Sequence, residues 1–177
     1  MKNDYTVVQK LLHWAMAGII MLDLFIAQKF GGSMEIADRL ESRVDHSTMG
    51  LLVLTLFVIR LVLRFVCGVP KEDGTSPLWQ VWLAKVAHGL LYLLMGLLVA
   101  SGLLTAMSAT SPIEIFGVID ITSGRMDGVI FDFVRGFHEF FTEVMIALVS
   151  IHVVAALYHQ FIRRDNLLLK MLMFRRS

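Results

Sequence analysis

The sequence predicts an all-α membrane protein, built as a bundle of four transmembrane helices. The 177-residue chain is 56% hydrophobic with a mean hydropathy of +0.70, whereas soluble domains are roughly 45–50% apolar. The apolar residues cluster in four blocks separated by polar stretches that contain glycine or proline. Each block has about 20 residues or more, which is enough to cross a hydrocarbon core of about 30 Å.

The four predicted spans cover residues 7–30, 48–67, 86–107 and 137–162. Because the bilayer offers no water, each is expected to be a helix that satisfies its own backbone hydrogen bonds. The first block carries Asp23 and is too long for the apolar part of a secretory signal, so we interpret it as a span. We expect one domain over residues 1–177, a partly ordered cap between spans three and four, and a short amphipathic helix after span four.

Basic residues at the ends of the spans predict the orientation in the membrane. Eleven lie on the side of both termini, and five lie on the opposite side. The positive-inside rule therefore places both termini in the cytoplasm. The eleven are Lys2, Lys10, Arg60, Arg64, Lys71, Lys85, Arg163, Arg164, Lys170, Arg175 and Arg176; the five are Lys29, Arg39, Arg43, Arg125 and Arg135. These juxtamembrane positions predict contact with lipid and no nucleic-acid partner.

All six histidines lie inside a predicted span or at its end: His13, His46, His88, His138, His152 and His159. Ionisable residues in membrane spans are rare and usually functional. The predicted topology places His46 and His138 in the outer half and the other four toward the inner side. His138 and His152 are separated by 14 residues, which advances about 21 Å and returns to within about 40° of the same direction on a helix.

This spacing is too long for two ligands of one small ion, and it fits two sites stacked along span four. Each site then needs a second histidine from another helix. His46 is available for His138 at the outer level, whereas either His13 or His88 is available for His152 at the inner level. Two haems, each held by two imidazoles from different helices, fit this arrangement. A haem-free bundle that uses its histidines for proton or metal transport is the alternative.

Two arginines of span two lie on roughly the same helix face as His46. Arg60 follows it by 14 residues and Arg64 by 18, and 18 residues are five helical turns. Haem propionates are anions, and a guanidinium binds a carboxylate well. Both arginines are therefore candidates for propionate contacts, with snorkelling at the inner interface as the purely structural interpretation.

The stretches around these residues, LLHWAM, DHSTMG, VIRLVLR and AHGLLYLLMGLLVASG, resemble the bacterial cytochrome b561 family. They are also similar to the cytochrome b subunits of membrane formate dehydrogenases and nickel hydrogenases. The resemblance covers nearly the whole chain and implies a four-transmembrane-helix bundle with two b-type haems between the helices. Carried over to this sequence, it implies His13 and His152 as axial ligands of the inner haem iron, and His46 and His138 of the outer one.

The resemblance further implies electron transport in the bacterial inner membrane, between the quinone pool and a partner at the outer face. One branch is similar to superoxide oxidase, which transfers an electron from superoxide to ubiquinone, so this oxidoreductase activity in the respiratory chain is one hypothesis. A haem-b membrane anchor subunit that connects a peripheral dehydrogenase to quinone is the alternative. By depth, His159, His88, Lys85 and Arg64 are candidates for the inner quinone or propionate region.

Three features complicate this resemblance. Ten outer carboxylates outnumber the five outer basic residues, which argues mildly against electrostatic steering of superoxide unless those five basic residues converge locally. Span three reads VASGLL, without the proline often found near this position in the family. Asp23 lies ten residues after His13 and is not expected from the family pattern. It is interpreted as part of a proton path, as a partner of an outer cation such as Lys29, or as a protonated group hydrogen-bonded to a neighbouring helix.

Overall fold

The computed structural model describes residues 4–28, 35–70, 77–124, 126–165 and 167–172. Four α-helices make up most of this part of the chain: α1 (Val7–Gln28), α2 (Ile36–Cys67), α3 (Leu78–Met107) and α4 (Gly128–Tyr158). Each is long and apolar enough to cross a membrane. The predicted all-α bundle of four membrane-spanning helices is confirmed.

Three helices begin earlier than the apolar blocks of the sequence. α2 begins at Ile36 instead of residue 48, α3 at Leu78 instead of residue 86, and α4 at Gly128 instead of residue 137. The 32 residues of α2 extend about 48 Å at 1.5 Å per residue. Its charged N-terminal turns therefore project beyond a core of about 30 Å. The apolar blocks predicted the membrane-embedded part of each helix, and the polar turns beyond them are helical as well.

Helices that follow one another in the chain pack together, most closely α1 with α2 and α3 with α4. Gln9 Nε2 on α1 donates to the carbonyl oxygen of Gly68 at 3.0 Å, which joins the start of α1 to the end of α2. Large apolar side chains such as Phe25, Phe65 and Ile151 are more than half exposed. Such outward-facing apolar side chains are typical of helices that contact lipid.

The segment between α3 and α4 forms a cap over one end of the bundle, which we call the outer end. Strands β1 (Glu114–Ile115) and β2 (Ile119–Asp120) pair antiparallel as a hairpin. Ile115 is 1% exposed and packs in one buried cluster with Ala106 and Ile113. The underside of the hairpin therefore covers the outer end of α3 with apolar side chains.

The chain after α4 turns back along the opposite, inner end of the bundle. It continues as a π-helical turn (His159–Arg163) and then a 3-10 turn (Leu168–Met171). Trp14 Nε1 donates to the carbonyl oxygen of Met171 at 2.9 Å, and Lys10 Nζ donates to that of Leu172 at 3.3 Å. Within the predicted amphipathic helix the described residues form only this short 3-10 turn, and residues 166 and 173–177 of that segment lie outside the described residues.

Several of the basic residues on which the predicted orientation depends lie outside the described residues. They are Lys2, Lys29, Lys71, Arg125, Arg175 and Arg176. The orientation in the membrane therefore stays a prediction, and "inner" and "outer" below denote only the two ends of the bundle.

Candidate functional site

His46 on α2 and His138 on α4 face each other near the outer end. Their ring centroids are 6.0 Å apart, and the ring planes are inclined by 69°. Two metal–nitrogen bonds of about 2 Å, together with the radius of each ring, require a similar separation. The two histidines that were predicted to share the outer level are therefore brought together from two different helices.

Each ring of this outer pair has a hydrogen-bond partner at Nδ1. His46 Nδ1 lies 2.7 Å from Oδ1 of Asp23, and His138 Nδ1 lies 3.0 Å from Oγ of Ser101. The Ser101 hydroxyl donates to the carbonyl oxygen of Leu97 at 2.7 Å, so its oxygen accepts from the ring. An ionised Asp23 also accepts, and in that state both rings would carry a proton on Nδ1. In a neutral imidazole this places the lone pair on Nε2, where a metal binds.

An apolar cavity of about 140 Å³ adjoins the two rings, and its lining includes Gly50, Gly102 and Ile115. A Cβ atom on Gly102 would lie 2.9 Å from Cε1 of His138, so only glycine allows the imidazole to pass this close to α3. The nitrogen donors, their tautomers and the apolar walls fit a haem. The cavity is smaller than the roughly 300 Å³ of small ligand pockets. A haem macrocycle would therefore also occupy the space between the imidazole rings of His46 and His138.

A second group of histidines lies at the inner level. The rings of His88 on α3 and His152 on α4 are 5.4 Å apart between centroids and inclined by 78°. His13 on α1 is close enough to interact electrostatically with Arg60, His152 and His88, and its ring contacts Trp14 edge-on at 5.3 Å. Both candidates for the partner of His152 therefore lie near it, and the ring in direct contact is that of His88.

The two arginines of α2 converge on Tyr92 of α3. Arg60 Nε donates to the Tyr92 hydroxyl at 3.1 Å, and the Arg64 guanidinium carbon is 5.0 Å from the centroid of the ring, a cation–π distance. Tyr5 lies near both arginines, and burial raises the pKa of its hydroxyl although Arg64 and Arg60 lower it. The sequence placed both arginines at this level but missed Tyr92, which shares a face of α3 with His88 four residues earlier.

Known proteins are similar in sequence to this chain over almost its whole length. A family model described as prokaryotic cytochrome b561 matches residues 4–173. The chain belongs to the prokaryotic cytochrome b561 family. It is therefore a multi-pass membrane protein of electron transport, and haem b is the cofactor of this family.

Individual relatives of this cytochrome b561 are moderately similar. Cytochrome b562 of Cereibacter sphaeroides is 34% identical over 177 residues, which cover 95% of this chain and 94% of the relative. Cytochrome b561 homolog 2 of Escherichia coli is 28% identical over 172 residues, or 95% of this chain and 90% of the relative. Probable superoxide oxidase CybB of Yersinia pestis is 24% identical over 175 residues, or 97% of each.

In this cytochrome b561, His159 lies immediately after α4 and belongs to a cluster of charged residues at the inner end. Its Nδ1 atom is 2.5 Å from Oδ2 of Asp165, and Arg163 Nε is 3.6 Å from the same oxygen. The sequence identified His159 as a candidate but missed Asp165. The reason is that the π-helical turn, which brings residue 165 back to residue 159, leaves no periodic signal. Lys85, the remaining inner candidate, lies on α3 three residues before His88.

Three arginines of this cytochrome b561 lie together beside the outer histidine pair. Arg43 precedes His46 by three residues, and Arg135 precedes His138 by three, so each lies about one helical turn toward the outer end. Arg43 interacts electrostatically with Arg135 and Arg39. Arg39 Nε is buried and has no hydrogen-bond partner within the described residues. The count of outer charges left a local convergence of the basic residues open, and these three arginines do converge here.

Proposed function

We propose that this cytochrome b561 is a dihaem protein that transfers electrons across the membrane, with superoxide as the donor at the outer face and ubiquinone as the acceptor. The observation that supports it best is the presence of two histidine groups at two levels of one four-helix bundle. When bound, haem b supplies a one-electron carrier whose bis-imidazole iron has no open position for substrate. Substrates must therefore meet the protein surface near each histidine group.

The outer ligands in this proposal are His46 and His138, whose Nδ1 protons are held by Asp23 and Ser101. The resemblance to the family makes His13 and His152 the inner ligands. His88 is a second candidate for the inner ligand, because its ring contacts that of His152.

Arg60 and Arg64 supply positive charge at the inner level, where haem propionates would need it. The bond from Arg60 Nε to Tyr92 fixes the plane of that guanidinium. The terminal nitrogen atoms are then held in a defined direction, which is the property that makes arginine suited to paired bonds with a carboxylate.

Superoxide as the donor is supported by the arginines beside the outer pair. A small anion responds to the potential at its point of entry, and a concentrated positive patch raises its rate of encounter. Arg43 interacts electrostatically with both Arg39 and Arg135, although Glu139 forms an ion pair with Arg135 at 2.8 Å. The relative from Yersinia pestis that is named a probable superoxide oxidase points to the same donor.

The quinone headgroup in this proposal binds near His159. Reduction of a quinone consumes protons, and the pair of His159 and Asp165 provides a hydrogen-bonded imidazole at the inner end. Next to it, an apolar groove lies on the surface of α4 and the following turn. The groove is lined by Val154, Leu157, Tyr158, Phe161 and Ile162, and this lining suits an isoprenoid tail.

The proposal is tested on the purified full-length protein. Haem per chain is measured first, and the protein is then pulsed with superoxide while the reduced absorption band is followed, with and without ubiquinone. We expect two haems per chain, rapid reduction that superoxide dismutase abolishes, and catalytic turnover when ubiquinone is present. The rate should fall as ionic strength rises, because salt screens the attraction of an anion.

Other outcomes would contradict specific parts of the proposal. One haem per chain or none would contradict the dihaem assignment. Two haems that quinol reduces but superoxide does not would exclude superoxide as the donor. If a soluble dehydrogenase subunit then co-purifies and reduces the haems, the role of a membrane anchor subunit replaces that of an oxidase.

A further inference from the structure

Asp23 is a carboxylate within the apolar part of α1. Its side chain is 15% exposed, and its Oδ1 atom is 2.7 Å from Nδ1 of His46 on the neighbouring helix. Ionisable groups inside membrane spans are costly, and they are usually found where a specific partner and a function retain them. The partner here is an imidazole that the proposed function makes an axial ligand.

The direction of this hydrogen bond has a chemical consequence for His46. Because a carboxylate can only accept, the imidazole donates its Nδ1–H. In metal sites a carboxylate bound in this way orients the ring and makes the other nitrogen a stronger electron donor. A stronger donor stabilises oxidised over reduced iron, and a negative charge nearby acts in the same direction.

We propose that Asp23 is a positioning residue of the outer haem site. It holds the ring of His46 through Nδ1, and it lowers the reduction potential of the haem that His46 and His138 would bind. This inference rests on the proposed function, which assigns these two histidines to one haem.

The second histidine of the outer pair, His138, has no carboxylate at its Nδ1 atom among the partners described for it. His138 donates to the neutral hydroxyl of Ser101 at 3.0 Å, a longer bond than the 2.7 Å bond of His46 to Asp23. Hydrogen bonds to charged acceptors are shorter and roughly twice as strong as those between neutral groups. Asp23 therefore has the larger effect on the ligand strength of the pair.

The inner level carries charge of the opposite sign. Arg60 interacts electrostatically with both His13 and His152, and a cation beside a haem ligand favours the reduced state. Although Arg43 and Arg135 lie about one turn from the outer pair and, with Arg39, act against it, the carboxylate bonded directly to His46 and the guanidinium near the inner histidines favour electron movement from the outer end toward the inner end. This is the direction that an outer donor and an inner quinone require.

The test uses the full-length, haem-loaded protein and compares Asp23→Asn with the unchanged chain. Asparagine keeps the shape and one accepting oxygen but removes the charge. Both midpoint potentials are measured by spectroelectrochemical titration at a single pH, and His46→Ala identifies the potential that belongs to the outer site. We expect Asp23→Asn to raise the midpoint potential of the outer site by at least about 59 mV, which is a tenfold change in the one-electron equilibrium. The midpoint potential of the inner site should stay unchanged.

Three further variants separate this effect from general ones. Asp23→Glu keeps the charge and should stay closer to the unchanged potential than Asp23→Asn. Ser101→Ala removes the neutral acceptor and should shift the outer potential less than Asp23→Asn does. Asp132→Asn removes an exposed carboxylate from the outer part of α4 and should shift neither potential measurably.

The outcomes distinguish this inference from the proposed function. Asp23→Asn with two haems and both potentials unchanged would overturn the inference and leave the dihaem assignment intact. If Asp23→Asn loses the outer haem, retention in Asp23→Glu supports the positioning role, whereas loss in both variants contradicts it. An unchanged chain that binds no haem at the outer histidines would instead refute the proposed function.

Discussion

The outer and inner histidine groups are built in different ways. At the outer level two imidazoles face each other, with Asp23 at Nδ1 of His46 and Ser101 at Nδ1 of His138, beneath the apolar underside of the hairpin. At the inner level three imidazoles share the space with two arginines and Tyr92. In the proposed function the outer arrangement offers one pair of ligands. The inner one brings together more polar groups than two axial positions need, which fits the proposed quinone site there.

This difference predicts how each level responds to substitution. A site with one possible pair loses its function when either member is removed. A site with a third imidazole within reach can keep part of its function, and the identity of the surviving pair then reveals the native ligands. The predictions below begin with the largest expected effect and end with the smallest.

The largest effect is expected from His138→Ala. Because the described residues place no other histidine beside His46 at the outer level, the variant should bind one haem per chain instead of two. Electron transfer from superoxide to ubiquinone should fall at least about 100-fold, as expected when an essential group is removed.

Ser150→Ala on the same helix provides the control, since among the described residues the Ser150 hydroxyl donates to the carbonyl oxygen of Ile146 in its own helix. That variant should keep both haems and its full rate. Two haems with the ordinary reduced spectrum in His138→Ala would show that the outer ligand is another residue.

The inner level is tested by comparing His13→Ala with His88→Ala. If His13 is the native ligand, its removal should cost the inner haem, or leave a weakly held haem with a changed spectrum because His88 takes its place. His88→Ala should keep two haems with unchanged spectra. The reverse result, haem loss in His88→Ala alone, would show that the ring contact between His88 and His152 marks the true pair. Haem content and low-temperature spectra of the reduced band decide between them.

How much of this site the sequence predicts depends on whether a feature belongs to one helix or to several. The number of helices and the depths of His138 and His152 follow from block length and from the 14-residue spacing, which are properties of single helices. The partner of His152 stayed open because His13 and His88 share a depth. The rotation of α1 and α3 about their axes is set by packing between helices, which spacing along one helix does not encode.

The same distinction applies to the residues that support the ligands. A hydrogen bond from Asp23 to a neighbouring helix was one of the interpretations considered, but its partner, His46, emerges only from the packing of α1 on α2. Ser101 follows this pattern, because its contact with His138 depends on how α3 meets α4. Arg43 of α2 lies near Arg135 of α4, so a count of charges on one side of the membrane left this convergence open.

A smaller effect is expected from Gly102→Ala, which tests the close approach of α3 to the outer pair. The added Cβ atom would lie 2.9 Å from Cε1 of His138, and overpacking of this kind costs about 1–3 kcal/mol. The ring of His138 must shift, so the variant should lose part of its outer haem on purification or show a changed outer spectrum. The inner haem should be unaffected.

Gly18→Ala is the matched control for this substitution. A Cβ atom at Gly18 meets nothing within 4 Å, and alanine is a better helix former than glycine by about 1 kcal/mol. Thermal unfolding, monitored through the release of haem, should therefore occur at the same temperature as in the unchanged chain or at a higher one. If Gly102→Ala holds its outer haem as firmly as Gly18→Ala does, the prediction is wrong. The added Cβ atom would then be accommodated by a small separation of α3 and α4 that costs no stability.

The smallest effect is expected from Arg43→Ala, because steering changes the rate of encounter and leaves the haems in place. Removing one of three clustered guanidiniums should lower the second-order rate of reduction by superoxide by roughly tenfold at low salt. It should also flatten the dependence of that rate on ionic strength, while haem content and reduction by quinol stay constant. Lys170→Ala removes the same charge near the inner end and should leave the superoxide rate unchanged. Equal losses in both variants would mean that superoxide responds to the net charge of the protein, and the outer arginines would then be better explained as partners of the outer haem's propionates.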